Sequence, residues 1–289
     1  MPNSDLTLKE LNGRLMRELA QAVGTDEARA MARIILEDIA KVDPVRLATN
    51  PEQPVERETV RRVDTVVERV KAGEPLQYIL GYADFHGLRL FVDNSVLIPR
   101  PETSNLVDII ADYTPRKSDL KIADICTGSG AIGLALARLF PFPEVHAYDI
   151  SDAALRVAER NSTNLKVTNF HTHKTDILAE QLDTTDFDIV VSNPPYVLPD
   201  EAENIDPRVL DHEPLSALFA PSGRHPLDFY TSITRMAADS LKPNGRLYLE
   251  INPILADNIL KIVHDAGFED CELLHDYRGK KRFITASKP

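Results

Sequence analysis

Residues Phe187–Tyr196 read FDIVVSNPPY. Phe187, Ile189, Val190 and Val191 make an apolar, β-branched run, the composition of a strand buried on both faces. The run stops at Asn193-Pro194-Pro195-Tyr196. Two successive prolines have no N–H to give to a ladder, so a central strand cannot continue through them. Each also drives the residue before it out of the helical region, which keeps Asn193 and Pro194 extended. A buried strand therefore ends in a rigid ledge carrying an amide side chain, backbone carbonyls without local partners and an aromatic ring. Ligands of open α/β sheets bind at that edge. A proline-stopped strand running into an ordinary loop has the same local signature, so the ledge is read together with its surroundings.

Upstream, the pattern alternates strand and helix. Leu120–Ile125 is a short apolar strand containing Asp124, followed by Cys126-Thr127-Gly128-Ser129-Gly130 and a helix over Ala131–Leu139. Glycines let backbone N–H groups approach a ligand at a helix N-terminus. Val145–Ile150 is the next strand. Its Asp149 lies about 20 residues beyond the glycine loop, the spacing of an acid that accepts ribose hydroxyls. Cys126 stands where a GxGxxG loop opens on glycine, and no Gly-Lys-Ser/Thr follows, which excludes a phosphate-binding P-loop. By itself the loop fits a nucleotide site or a plain strand-to-helix turn. Ser151 is a good N-cap for a helix to about Asn164. A third strand closes at Thr175-Asp176-Ile177. There Asp176 could accept from an exocyclic amine and Ile177 could cover a ring, or the three residues could be a simple strand-end turn.

Downstream of the ledge lies a Pro- and acid-rich stretch to Asp211, expected to be long and mobile as active-site lids often are. A helix over Leu227–Leu241, a strand over Gly245–Ile251 and a helix over Ile254–Ala266 follow. Glu272–Tyr277 and Arg282–Thr285 close the chain as an antiparallel pair. This is α/β alternation with a mostly parallel sheet.

Residues 1–73 are helical instead. Leu8, Leu11, Leu15 and Leu19 recur at three- and four-residue spacing, and Val60, Val63, Val66, Val67 and Val70 share one face of a later helix. Between the two regions, Gln77–Gly81 and Phe85–Val92 suggest short strands or a hairpin. His86, alone in a turn, is read as surface decoration. Pro101 and Glu102 suit the first turn of a helix.

The whole chain has 289 residues, 43% hydrophobic and 27% charged, as in a water-soluble globular protein. Residues 1–73 are nearly neutral, so almost all of the net charge of −12 falls on the remainder. That balance argues against broad binding to a nucleic-acid backbone, which needs clustered Lys and Arg. No stretch has the roughly 20 apolar residues of a membrane span, and the N-terminus lacks a signal-peptide core, so a cytoplasmic protein is expected. The two cysteines, Cys126 and Cys271, form no Cys-x-x-Cys pair, and no metal site is expected.

Taken together, QYILG at 77–81, LIPRPET at 97–103, DICTGSG at 124–130, NPPY at 193–196 and EPLSAL at 213–218 resemble the PrmC/HemK family of N5-glutamine methyltransferases. The resemblance covers nearly the whole chain, and the LIPRPET–NPPY pair is its specific part. It implies a class I, S-adenosylmethionine-dependent methyltransferase with a Rossmann-like, seven-stranded, mostly parallel sheet and an N-terminal helical bundle. The implied domains are a helical substrate-recognition domain at 1–73, a strand or hairpin linker at 74–100 and the methyltransferase domain at 101–289. The implied reaction is methylation of the Gly-Gly-Gln glutamine in class 1 peptide-chain release factors. S-Adenosyl-L-methionine would be held by Cys126, Thr127, Gly128, Ser129, Gly130, Asp149, Asp176, Ile177 and Asn193. Asn193, Pro194, Pro195 and Tyr196 would carry catalysis and bind substrate, with Arg100 and Glu102 beside them. The chain departs from the family pattern at Cys126, often glycine, and at Ile177, often tryptophan. Two sister reactions share this chemistry: methylation of a glutamine in ribosomal protein L3 and of adenine N6 in DNA. A catalytically silent cofactor-binding protein and a nicotinamide dehydrogenase complete the alternatives.

Overall fold

The computed structural model describes residues 6–115 and 119–289, which divide into two compact units. One holds residues up to Leu80 together with Pro207–His212; the other holds Gly81–Asp206 and Glu213–Pro289.

In the first unit, α1 (Leu8–Val23) begins at a capping box. Thr7 Oγ1 accepts from the Glu10 N–H at 3.3 Å and the Glu10 carboxylate accepts from the Thr7 N–H at 2.8 Å. Leu8, Leu11, Leu15 and Leu19 are buried, as their spacing requires. They pack with Ala28, Met31, Ala32, Ile35 and Leu36 of α2 (Thr25–Asp38). The short α3 (Pro44–Thr49) starts where the Asp43 carboxylate accepts the Arg46 N–H at 2.7 Å. In α4 (Arg57–Lys71), Val63, Val66, Val67 and Val70 complete the same core. Gln77–Gly81 is not a strand: α5 (Leu76–Leu80) occupies it. Pro75 presets the helical turn, and its carbonyl accepts from Tyr78 and Ile79 at 3.0 and 3.2 Å. The Pro207–His212 helix belongs here too, with the Arg208 guanidinium on both carboxylate oxygens of Glu27 at 3.0 Å.

The second unit opens with the hairpin β1 (Tyr82–Phe85) and β2 (Leu88–Phe91), turning through His86-Gly87. His86 Nε2 lies 2.9 Å from Asp108 of α6 (Pro101–Tyr113), so it is a half-buried partner of that helix rather than decoration. Next come β3 (Lys121–Ile125), α7 (Ala131–Leu139), β4 (Glu144–Asp149), α8 (Asp152–Leu165), β5 (Phe170–Lys174) and β6 (Phe187–Ser192). The stretch beyond Tyr196 carries a 3-10 helix (Pro199–Asn204) and α9, the Pro207–His212 helix already met. A 3-10 turn (Leu215–Ala217), α10 (Pro226–Ser240), β7 (Leu241–Glu250), a second 3-10 turn (Pro253–Leu255), α11 (Ala256–Asp265), β8 (Glu269–His275) and β9 (Lys281–Ser287) complete the chain.

The seven-stranded sheet has the order β5-β4-β3-β6-β7-β9-β8, with β9 antiparallel to both neighbours and the other pairs parallel. β6 lies at its centre. Val190 packs into the core on one face, with Ile233 and Met236 of α10; Ile189 and Val191 pack on the other, with Leu106 and Ile110 of α6. Burying each such side chain contributes about 1.5–3 kcal/mol. Among the described residues, no helix is long and apolar enough to cross a membrane.

Candidate active site

The C-terminal ends of β3, β4 and β6 meet at one edge of the sheet, and the glycine loop is braced there from beneath. Asp124 of β3 is fully buried. Its Oδ2 accepts from the Thr127 hydroxyl at 2.6 Å and from the Gly133 N–H at 2.9 Å, which ties the loop to the first turns of α7. Its Oδ1 is buried without a partner. Burial pushes the Asp124 carboxyl from 3.8 up to about 6, against the pull of those two hydrogen bonds. A carboxyl raised in this way binds its proton more tightly folded than unfolded. Its stabilising contribution is therefore full below about pH 4 and lost as pH rises through about 6. Asp124→Asn keeps the accepting oxygen and removes the titration. The melting temperature of wild type relative to this variant should fall between about pH 4 and pH 7; a constant difference would refute the assignment.

Within the loop, Cys126 has φ +60°, a left-handed backbone that favours glycine. Its half-buried side chain packs against the core, and burial holds the thiol pKa well above its usual value, so it is an inert apolar residue. Gly128 also has a positive φ, and a Cβ built there would meet nothing within 4 Å. Its N–H donates to Asp149 Oδ2 and the Ser151 N–H donates to Asp149 Oδ1, both at 2.9 Å. Burial raises the Asp149 pKa and these backbone donors lower it. Gly130 differs: a Cβ there would meet Leu134 Cδ1 at 3.0 Å, Phe170 at 3.2 Å and Ala158 at 3.3 Å. It allows helix and strand to pack closely beneath the loop.

The loop opens on a cavity of about 710 Å³, within the roughly 300–1,000 Å³ range of small-molecule sites. Cys126, Thr127, Gly128, Ser129, Asp149, Asp176, Ile177 and Asn193 line it; Gly130 does not. Of the ledge, Asn193 and Pro195 stand on the wall, whereas Pro194 and Tyr196 do not. Arg100 lines the cavity and donates to Glu213 Oε1 at 2.7 Å; Glu213 Oε2 accepts from the Ile98 N–H at 3.1 Å. Glu213 thus clamps the LIPRPET segment to the EPLSAL segment. Glu102 is off the cavity, with the Tyr277 hydroxyl at 3.3 Å and the Arg278 guanidinium at 3.5 Å.

A buried polar chain leads inward from Asn193 and Thr103, both on the cavity wall, to Glu250. Asn193 Nδ2 donates to Thr103 Oγ1 at 3.3 Å, and the Thr103 hydroxyl donates to Glu250 Oε2 at 2.7 Å. The Tyr196 hydroxyl donates to Glu250 Oε1 at 3.1 Å. Burial raises the Glu250 pKa, while the bonds from Thr103 and Tyr196 and the charge of Arg282 lower it. Sequence reasoning missed Thr103 and Glu250, although Thr103 sits in the LIPRPET run and Glu250 follows Leu249, the residue beside Ser192 in β7. It also missed Ile150, exposed on the cavity wall beside Asp149.

Sheet order and loop placement make this a class I methyltransferase fold. The solved methyltransferase of Pyrococcus furiosus superposes with a TM-score of 0.51 at 18% identity, covering 70% of this chain and 89% of that one. A 16S rRNA methyltransferase of T. thermophilus, solved with AdoMet and guanosine, gives 0.51 at 19% identity, covering 72% and 50%. Two family models also match, the PrmC N-terminal domain over residues 14–81 and the methyltransferase small domain over residues 104–211. The release factor glutamine methyltransferase of Bacteroides thetaiotaomicron is 33% identical, across 97% of this chain and all of that protein. The protein of the same name from Flavobacterium psychrophilum is 36% identical, across 98% and 99%. The chain belongs to the release factor glutamine methyltransferase family.

Proposed function

We propose that this enzyme transfers a methyl group from S-adenosylmethionine to the side-chain amide nitrogen (N5) of the glutamine in the Gly-Gly-Gln motif of class 1 release factors. The observation that carries this reading is that the Asn193-Pro195 ledge and the glycine loop share the wall of one cavity. The residues there suit the cofactor. Gly128 leaves its backbone open to the cavity, Asp149 offers a carboxylate, and Ile150 and Ile177 supply apolar surface for a flat ring. When bound, S-adenosylmethionine supplies an electrophilic methyl group on a sulfonium.

The chain's own task is to prepare the nucleophile. An amide nitrogen is a poor one because its lone pair is delocalised into the C–N bond. In this reading the Asn193 Oδ1 accepts one N–H of the substrate amide from the cavity wall, and the Pro194 carbonyl, set off that wall beside it, accepts the other. That fixes the nitrogen and draws electron density toward it. Tyr196, anchored through its hydroxyl on Glu250, stiffens the ledge and helps exclude water. No charged base is required, because methylation makes the nitrogen acidic and its proton leaves afterwards. Residues 1–73 grip the release factor away from the Gly-Gly-Gln loop, and the 77–103 segment shapes the entrance.

The test is methyl transfer from labelled S-adenosylmethionine to purified release factor, beside a variant whose target glutamine is alanine. Label on the wild-type substrate alone is expected. Equal labelling of both, or of neither, overturns the reading.

A further inference from the structure

We propose that Thr103 and Glu250 are positioning residues that decide which atom of the Asn193 amide faces the substrate. This rests on the methyl-transfer reading above and goes one step deeper into the same site.

The argument is a count of protons. An ionised carboxylate accepts hydrogen bonds and donates none. Glu250 therefore takes the single proton of the Thr103 hydroxyl on Oε2, at 2.7 Å, and that of the Tyr196 hydroxyl on Oε1, at 3.1 Å. With its proton committed, Thr103 Oγ1 has only lone pairs left. Whatever approaches it from Asn193 must donate, and only the amide NH₂ can do so. The flipped amide would set Oδ1 against Oγ1 with no proton between them. The 3.3 Å contact from Nδ2 thus fixes the flip, and Oδ1 is turned away from Thr103. Oδ1 is the atom that must accept from the substrate. The chain spans three elements, from the end of β6 through α6 to the end of β7, so the sheet itself holds the selection.

Glu250 is the group on which the direction depends, and it is 1% exposed. Tyr196 faces it from the ledge, Thr103 and Glu102 from α6, and Arg282 from β9; the Tyr230 hydroxyl of α10 donates to its backbone carbonyl. A protonated Glu250 could donate to Thr103. The threonine proton would then be free to turn to Asn193, and the amide would be held in the wrong flip. Wild-type kcat should accordingly have an acid limb above the ordinary carboxylate range.

The experiment uses full-length enzyme, release factor and S-adenosylmethionine, with cofactor Kd measured separately. Thr103→Val removes the hydroxyl at nearly constant shape. It should lower kcat about 10- to 100-fold, with cofactor Kd within about twofold. Thr103→Ser should recover most of that loss. Glu250→Gln, which keeps shape and cannot titrate, should lose the acid limb. The proposal is overturned if Thr103→Val turns over like wild type, if Thr103→Ser is as slow as Thr103→Val, if cofactor affinity falls as far as kcat, or if the acid limb survives in Glu250→Gln. Failure of wild type to label release factor would instead refute the functional reading, before any variant is compared.

Discussion

Asn193→Ala lowers kcat about 100- to 1,000-fold at saturating cofactor and release factor, the loss typical when one preorganised polar group is removed from a reacting centre. Cofactor Kd moves far less. Asn193 lines the cavity but is one wall residue among several, whereas it supplies one of only two acceptors proposed for the substrate amide. With Oδ1 gone, the nitrogen is held by the Pro194 carbonyl alone and can rotate about that contact. Holding a near-attack arrangement is worth up to about 7–11 kcal/mol in favourable cases, so a partial loss is large. Thr103 and Glu250 keep their own hydrogen bond in this variant, which limits the damage to the site. Single-turnover rates beside cofactor titration make the measurement. A kcat within about tenfold of wild type would sink the two-acceptor scheme.

Gly130→Ala, in contrast, costs stability. Its φ of +80° is a backbone that an L-residue takes at a cost of about 1–2 kcal/mol. The new methyl would also press on Leu134 at 3.0 Å and Phe170 at 3.2 Å, and overpacking of this kind costs about 1–3 kcal/mol. Urea unfolding should show a loss of about 2–5 kcal/mol from the two effects together. Gly128→Ala isolates the first of them. The backbone cost is similar, but the methyl points into open cavity, so stability falls by only about 1–2 kcal/mol. Cofactor affinity carries the rest of that variant's loss. If both variants lose the same stability and the same affinity, the division of labour within the loop is wrong.

Strands β3, β4 and β6 and helices α1, α4, α7 and α8 were legible because each is written in local periodicity or in a cap. The strand–loop–helix order by itself places Asp149 and the ledge at one sheet edge. What escaped was of two kinds. Gln77–Gly81 looked extended from Tyr78 and Ile79, but Pro75 starts a helical turn there and Leu76 is buried in the helical core. Short elements of this sort are decided by one cap and one anchor, which composition does not weigh. The Asn193–Thr103–Glu250 chain was illegible for a different reason. Thr103 and Glu250 are 147 residues apart, and their meeting depends on α6 lying across the end of β7. Gly130 shows the converse: the sequence marked it as special, but its reason is packing against α8 and β5 rather than the ligand.

The assignment of Pro207–His212 to the helical unit bears on how the chain is made. The polypeptide leaves that unit at Leu80, runs through the hairpin and four strands of the second unit's large sheet, supplies six more residues to the first, and returns. No single cut yields both units whole, because a fragment ending at Leu80 lacks Arg208 and leaves Glu27 without its guanidinium. Synthesis runs from the N-terminus at about 5–20 residues per second, so the helical unit waits on the order of ten seconds for its last helix. On the ribosome the helical unit therefore becomes whole only at His212, after β6 of the second unit has already been made.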